Sequence, residues 1–241
     1  MPVSAAAVSA GAVRTGPAST VLAAGLGARR GRGWMLRAAS FRVDSPLAGP
    51  SALGLLIGQR ATASAVVDLL AGLAPPAYGE LRVLGEDMRT ERGRAAARAR
   101  IGVVRRGGLI RPGLRIRAVV EHAARRTRLP RRDRSVLAAA ILDRLGLAPW
   151  AEVPLRTAPE LVARRARLAA AAVHQPDLLL IDGLLDGLTP QDAAQLADSI
   201  RDIGRDTGIV AAGADADALA LTCGEVLTMA DGILVPDEVG P

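Results

Sequence analysis

The chain has 241 residues, half of them hydrophobic, which is enough to bury a core within one domain; aromatics are only 2 %, so that core must be built from Ala, Leu, Val and Ile. The net charge is +7 and every one of the 31 basic residues is arginine: lysine and asparagine are both absent, as a GC-rich genome produces, and any chemistry that needs a lysine side chain is excluded. A single cysteine, Cys223, excludes an internal disulfide and suits the cytosol, and no apolar run approaches the roughly 18 residues of a membrane-crossing helix.

Residues 1–20 are rich in Ala, Ser and Gly, with no early positive region and no Leu-rich stretch, and read as a disordered tail and not as a signal peptide. Val21–Leu26 and Leu36–Val43 read as strands around an Arg/Gly turn, and Pro46–Pro50 as a loop. Ala52–Ile57 is a continuous apolar run, as expected of a buried strand, and Gly58 ends it. A helix fits Ala63–Leu73, a strand Glu80–Leu84 and another Arg100–Val104. An Arg-rich middle from Arg105 to Arg134 has helical character at Arg117–Arg126. Helices over Ser135–Leu145 and Glu160–His174 follow, then a buried strand, Leu178–Asp182, that ends in an acid. Thr189 and Pro190 open the next helix, a cap followed by proline at the first position, with Leu196, Ile200 and Ile203 on its apolar face. Ile209–Ala212 is a strand, Asp215–Leu221 a short helix, and Val226–Val235 a strand pair turning at Asp231-Gly232. Strands alternating with helices predict an α/β fold with a parallel sheet, to which the early antiparallel strands and the Arg-rich helical segment are additions.

Two constellations bear on chemistry. The stretch Gly58-Gln59-Arg60-Ala61-Thr62-Ala63-Ser64-Ala65-Val66 lies between a strand and a helix, where a phosphate-binding loop would wrap backbone N–H groups around an anion. Its spacing fits such a loop, but Ala61 and Ala63 stand where glycines belong, Ser64 where the lysine belongs and Ala65 where a magnesium-binding hydroxyl belongs. The second is Asp182, a carboxylate at the C-terminal end of a buried strand, where a Mg²⁺–nucleotide ligand sits in P-loop folds; the plainer alternative is an aspartate that simply caps the strand end.

Placed in order with the rest, these strings resemble the ATP-binding subunit of ABC transporters. His174–Pro190, with Leu178-Leu179-Leu180-Ile181-Asp182-Gly183, is similar to the Walker B and D-loop region of that family; Asp182 matches the Walker B aspartate, Gly183 replaces the catalytic glutamate and Thr189 the D-loop aspartate. Leu69–Leu73 with Pro76, Gly79 and Val83–Asp87 resembles the run after the P-loop, and Ile101–Arg106 the approach to the Q-loop, with Arg106 in place of the glutamine. The signature motif falls at about Ala158–Val162 and is unrecognisable, the switch histidine aligns with Ala214, and the stacking aromatic with about Arg30. The resemblance covers roughly Val21 to Val235 and rests on the order and spacing of weak matches.

That resemblance implies a P-loop NTPase-like (ABC ATPase) parallel sheet core with an N-terminal antiparallel β portion, over residues 21–236, and a helical subdomain at roughly 107–165. It implies ATP and Mg²⁺ as cofactors, with Gly58 to Val66, Arg106 and Asp182 as the nucleotide-binding positions and Asp182 as the magnesium ligand. It also implies a transmembrane permease as partner, a second ABC ATPase subunit in a homo- or heterodimer, and a cytoplasmic place on the inner face of the membrane. Of the groups that hydrolysis needs in this family only Asp182 remains, so no catalytic residue is assigned and hydrolysis by this chain alone is not expected. Arg60 has the right chemistry to replace the lysine but stands four positions early. The alternative is a soluble regulatory or scaffold protein that reuses the fold without nucleotide. Arg125, Arg126, Arg128, Arg131, Arg132 and Arg134 carry charge without stacking aromatics, which favours a solvated or docking surface over nucleic acid. His122 and His174 lack metal-ligand companions, and Cys223 reads as a core thiol.

Overall fold

Leu178–Asp182 has the burial of a strand covered on both faces, and its alternate residues divide between two cores: Leu178 and Leu180 face one, Leu179 and Ile181 the other. This strand belongs to a computed structural model that describes residues 20–31, 33–45, 51–106, 113–127 and 130–236. The tail expected at 1–20 (Thr20 apart), the Pro46–Pro50 loop, Arg128 and residues 107–112 lie outside them.

The strands are β1 (Val21–Arg30), β2 (Gly33–Val43), β3 (Ala52–Leu56), β4 (Tyr78–Val83), β5 (Glu86–Asp87), β6 (Ile101–Val104), β7 (Leu178–Asp182), β8 (Gly208–Gly213), β9 (Glu225–Ala230) and β10 (Ile233–Pro236). They form two sheets. One is antiparallel, in the order β2-β1-β4-β5; the other runs β10-β9-β3-β8-β7-β6, parallel from β9 to β6 with β10 antiparallel at its edge. The turn between β9 and β10 places Asp231 (φ 50) and Gly232 (φ 81) in the left-handed region, which suits a two-residue hairpin.

The helices are α1 (Arg60–Leu70), α2 (Glu91–Arg98), α3 (Ile116–Arg125), α4 (Arg131–Arg144), α5 (Glu160–Ala172), α6 (Pro190–Ile203) and α7 (Ala216–Ala220). One face of the parallel sheet packs with α1 and the antiparallel sheet through Leu53, Val66, Leu70, Leu81 and Val210. The other packs with α3 to α7 through Val120, Leu142, Ala166, Leu196 and Ile209. Alanines of α5, Ala163, Ala166, Ala169, Ala171 and Ala172, are buried in this second core. Thr189 caps α6 by accepting from the Asp192 N–H at 3.2 Å, with Pro190 next.

Among the elements that differ from expectation are three helices. α1 begins at Arg60 and not at Ala63, because alanines, and not glycines, fill the preceding positions and favour helix over an open loop. α4 begins at Arg131, ahead of Ser135: its first turn is exposed arginine with no apolar stripe to reveal it. α2 carries no long apolar pattern and buries only Gly93 and Ala97; it is started by Thr90, whose hydroxyl accepts from the Gly93 N–H at 3.0 Å.

Candidate functional site

The site lies at the C-terminal ends of the parallel strands, where open α/β sheets hold their ligands. Pairing sets its composition. Val104 at the end of β6 is opposite Ile181 of β7, so Arg106, just past β6, lies beside Asp182 and Gly183. On the other side Asp182 is opposite Ala212 of β8, and the Gly183 N–H donates to the Ala212 carbonyl at 2.7 Å. β3 lies on the far side of β8, and α1 leaves it across the ends of β7 and β8.

Only Ile57, Gly58 and Gln59 separate β3 from α1. Gly58 and Gln59 are exposed in that turn. Arg60 is the first residue of α1 and exposed; Ala61, Thr62, Ala63, Ser64, Ala65 and Val66 are all helical, with Ala63 and Val66 in the core. The N–H groups of Thr62 and Ala63 donate to the Gln59 carbonyl at 2.9 and 3.0 Å, and are therefore spent inside the helix. Ser64 points inward: its hydroxyl donates to Asp182 Oδ2 at 2.6 Å.

Asp182 is 2 % exposed. Its other oxygen faces Arg106, with Nε 3.6 Å from Oδ1. The same guanidinium places Nη1 2.5 Å from Oδ2 of Asp186, a carboxylate whose Oδ1 accepts from the Ala214 N–H at 2.9 Å. These ion contacts are not aligned as hydrogen bonds: Nε and Nη2 of Arg106, Oδ1 of Asp182 and Oδ2 of Asp186 are buried without a hydrogen-bond partner. Charge therefore holds the cluster, one cation between two carboxylates in a setting largely shielded from solvent. Gly183 makes room for it. It has φ +59, and a Cβ there would lie 2.1 Å from Cζ and Nη2 of Arg106.

The segment after β7 is pinned by Arg164 of α5, whose Nη1 donates to the carbonyls of Leu184 (2.6 Å) and Asp186 (2.8 Å) while Nε bonds Glu160 Oε1 at 2.7 Å. Asp215 accepts from the Ala218 N–H and caps α7. The fold thus brings together Ser64, Arg106 and Asp182 of the positions expected from sequence, and leaves Gly58, Gln59 and Arg60 at the solvent edge. Sequence reasoning passed over Asp186 and Arg164; the signal available for them was an acid and a base flanking a buried strand, which is common on any surface. Among the described residues no group of three or more His, Cys, Asp or Glu is gathered to hold a metal ion, and no helix is long and apolar enough to cross a membrane.

No family model matches the chain. In sequence it is 28 % identical over 208 residues to the methionine import ATP-binding protein MetN 2 of Burkholderia mallei, a match over 85 % of this chain and 52 % of that protein. It is 35 % identical over 137 residues to the Nod factor export ATP-binding protein I of Sinorhizobium fredii, over 57 % of this chain and 39 % of that one. The chain spans about half the length of the curated relatives it matches. In structure it superposes on cbiO1 of Clostridium perfringens, part of the ABC transporter complex cbiONQ, with a TM-score of 0.79, covering 90 % of this chain and 87 % of that one at 18 % identity, a likeness of fold. The chain is a homologue of ABC transporter ATP-binding subunits and carries the ABC ATPase fold, with its parallel-sheet core.

Proposed function

We propose that this chain is a non-hydrolysing member of a transporter assembly: an ABC ATP-binding-subunit-like protein that docks a transmembrane permease and leaves ATP turnover to a competent partner subunit. The observation that carries the reading is the exchange at Arg106 and Gly183. The position of the family's catalytic glutamate is a glycine, and the space its side chain would need is filled by a guanidinium bound to Asp182 and Asp186.

The residues present do not fit a magnesium–ATP complex. A magnesium ion would need the free oxygen of Asp182, which faces Arg106, and the other oxygen is held by Ser64. The β3–α1 turn is too short to wrap phosphates, since its loop positions are wound into α1. Among the described residues the site's carboxylates, Asp182, Asp186 and Glu160, are all paired with arginines, which leaves none of them free to activate water. Arg106 instead supplies in place the positive charge that the two carboxylates require, so the segment after β7 is held in one arrangement by the protein's own side chain. Retention of the sheet, α5 and the helical group against it preserves the surfaces through which a docking subunit acts.

The test is a calorimetric titration with ATP, with and without Mg²⁺, together with phosphate release by the purified protein. The expected result is no turnover and no magnesium-dependent binding. Turnover that disappears in Asp182→Ala would overturn the proposal.

A further inference from the structure

α3 and α4 each bury one side, through Val119, Val120 and Ala124 of the first and Ala138, Ile141 and Leu142 of the second. The end of α3 and the start of α4 carry Arg125, Arg126, Arg131, Arg132 and Arg134 against two carboxylates, Glu121 and Asp133. Those carboxylates stand 3.5 Å from Arg125 and Arg132, whose side chains remain 64 % and 87 % exposed, so the pairing is loose and open to solvent. Arg131 makes no ion pair among the described residues. Between α3 and the start of α4 lies a concave space of about 420 Å³, lined by Arg125, Arg131 and Arg134 with Glu121 and Ser135. On the adjoining face of α4, Val136 stands one turn after Arg132 and is 66 % exposed, an apolar side chain among cations.

We infer that this end of the α3–α4 pair rests on an anionic phospholipid surface, with its guanidinium groups on lipid phosphates and Val136 at the boundary with the acyl chains. Clustered arginines are drawn to an anionic leaflet, and a guanidinium fork matches two oxygens of one phosphate. The exposed valine adds apolar area where a bilayer, and not water, can cover it. Nucleic acid offers phosphates too, but nothing to cover Val136, and no Phe, Tyr or Trp lies between Tyr78 and Trp150 to stack on bases. No helix among the described residues is long and apolar enough to cross a membrane, so the contact is one of surfaces. It is made with lipid itself and not with a permease, and stands whether or not the chain turns ATP over.

The experiment is co-sedimentation of the full chain with vesicles of phosphatidylcholine alone and of phosphatidylcholine mixed with phosphatidylglycerol. It is repeated on the pair Arg131→Ala and Arg132→Ala, on Val136→Ser, and on a control pair, Arg89→Ala and Arg92→Ala, which removes the same charge from exposed positions at the start of α2. Expected is partition onto the mixed vesicles only, weakening as salt is raised. Each arginine removed from the patch should lower it about fivefold, and Val136→Ser about threefold, while the control pair leaves it nearly unchanged. Unchanged melting temperatures separate lost binding from lost folding, and the pair Arg125→Gln and Arg126→Gln on α3 reads the same loss should the start of α4 fray. Absence of partition at low salt, equal partition onto neutral vesicles, or an equal loss in the control pair each overturns the inference. So does displacement by millimolar inorganic phosphate at constant ionic strength, which would mark a site for a small anion, and so does tighter binding to duplex DNA than to the mixed vesicles at the same salt.

Discussion

Gly183 and Arg106 occupy one space. A methyl group on Gly183 would meet the Arg106 guanidinium at 2.1 Å, and that guanidinium can swing away only by leaving Asp182 and Asp186. Backbone strain adds to the clash, since Gly183 sits at φ +59. Gly183→Ala is expected to destabilise the fold by about 2–4 kcal/mol, as overpacking plus a left-handed alanine. In an Arg106→Ala background the same substitution should cost only about 1 kcal/mol of backbone strain. Urea denaturation of the four proteins of this cycle measures the coupling; additive effects would show that the two residues do not share the space.

Arg106 is the only cation within reach of the buried carboxylate of Asp182 among the described residues. Arg106→Ala leaves that charge and Asp186 uncompensated, and a loss of about 3–5 kcal/mol is expected. Arg106→Lys should recover part of it, because a single ammonium cannot face both carboxylates as the planar guanidinium does. The midpoint of urea unfolding checks both, and a loss under about 1 kcal/mol in Arg106→Ala would mean that the cluster is solvated.

The Ser64 hydroxyl is a donor to a charged, buried acceptor at 2.6 Å. Its removal in Ser64→Ala should cost about 1.5–3 kcal/mol, the range for hydrogen bonds to charged groups, while alanine's helix propensity returns a few tenths. The melting temperature under fixed pH and salt reads the difference.

His174 sits after α5, half-buried, with Nδ1 buried and without a hydrogen-bond partner. Burial lowers its pKa from the ordinary 6.5, outweighing a backbone hydrogen bond at Ile101 and the charge of Asp177. The unfolded chain therefore binds the extra proton first. The stability contributed by keeping His174 neutral is complete above pH 6.5 and is lost as pH falls below that value through the folded-state pKa. His174→Gln should flatten the pH dependence between neutrality and mild acid, as measured by urea midpoints across that window.

Cys223 packs into the core beside α7, and burial pushes its thiol from 9.0 up to about 12. The thiolate is the reactive form, so a thiol reagent at mildly alkaline pH should label the native protein only at the rate at which it opens. Above pH 9.0 the unfolded thiol ionises while the folded one does not, so stability should decline there as pH rises. Immediate stoichiometric labelling of the native protein would contradict the burial.

Much of the architecture was legible along the chain. The continuous apolar runs at Ala52–Ile57 and Leu178–Ile181 read as buried strands and form β3 and β7, and the Thr189-Pro190 pair starts α6 where capping chemistry requires. Asp182 was legible too, as an acid closing such a strand. The start of α1 was not: Arg60 to Thr62 read as loop by analogy of spacing, whereas without glycine to hold it open the backbone winds into helix. α2 was missed because a helix that buries only a glycine and an alanine has no apolar period to detect.

What the sequence determined by itself is the type and order of most strands and helices and the residue identities at particular positions, because periodicity, capping and residue identity are local properties. What only the tertiary structure decided is how those residues meet. Arg106 and Gly183 are distant in sequence, and neither alone announces the other. Pairing of β6 with β7 sets them side by side, and there the missing side chain of one is the space for the other. No local pattern carries that relation, since it depends on strand order and on the low-dielectric surroundings that make an arginine between two carboxylates the compensating group.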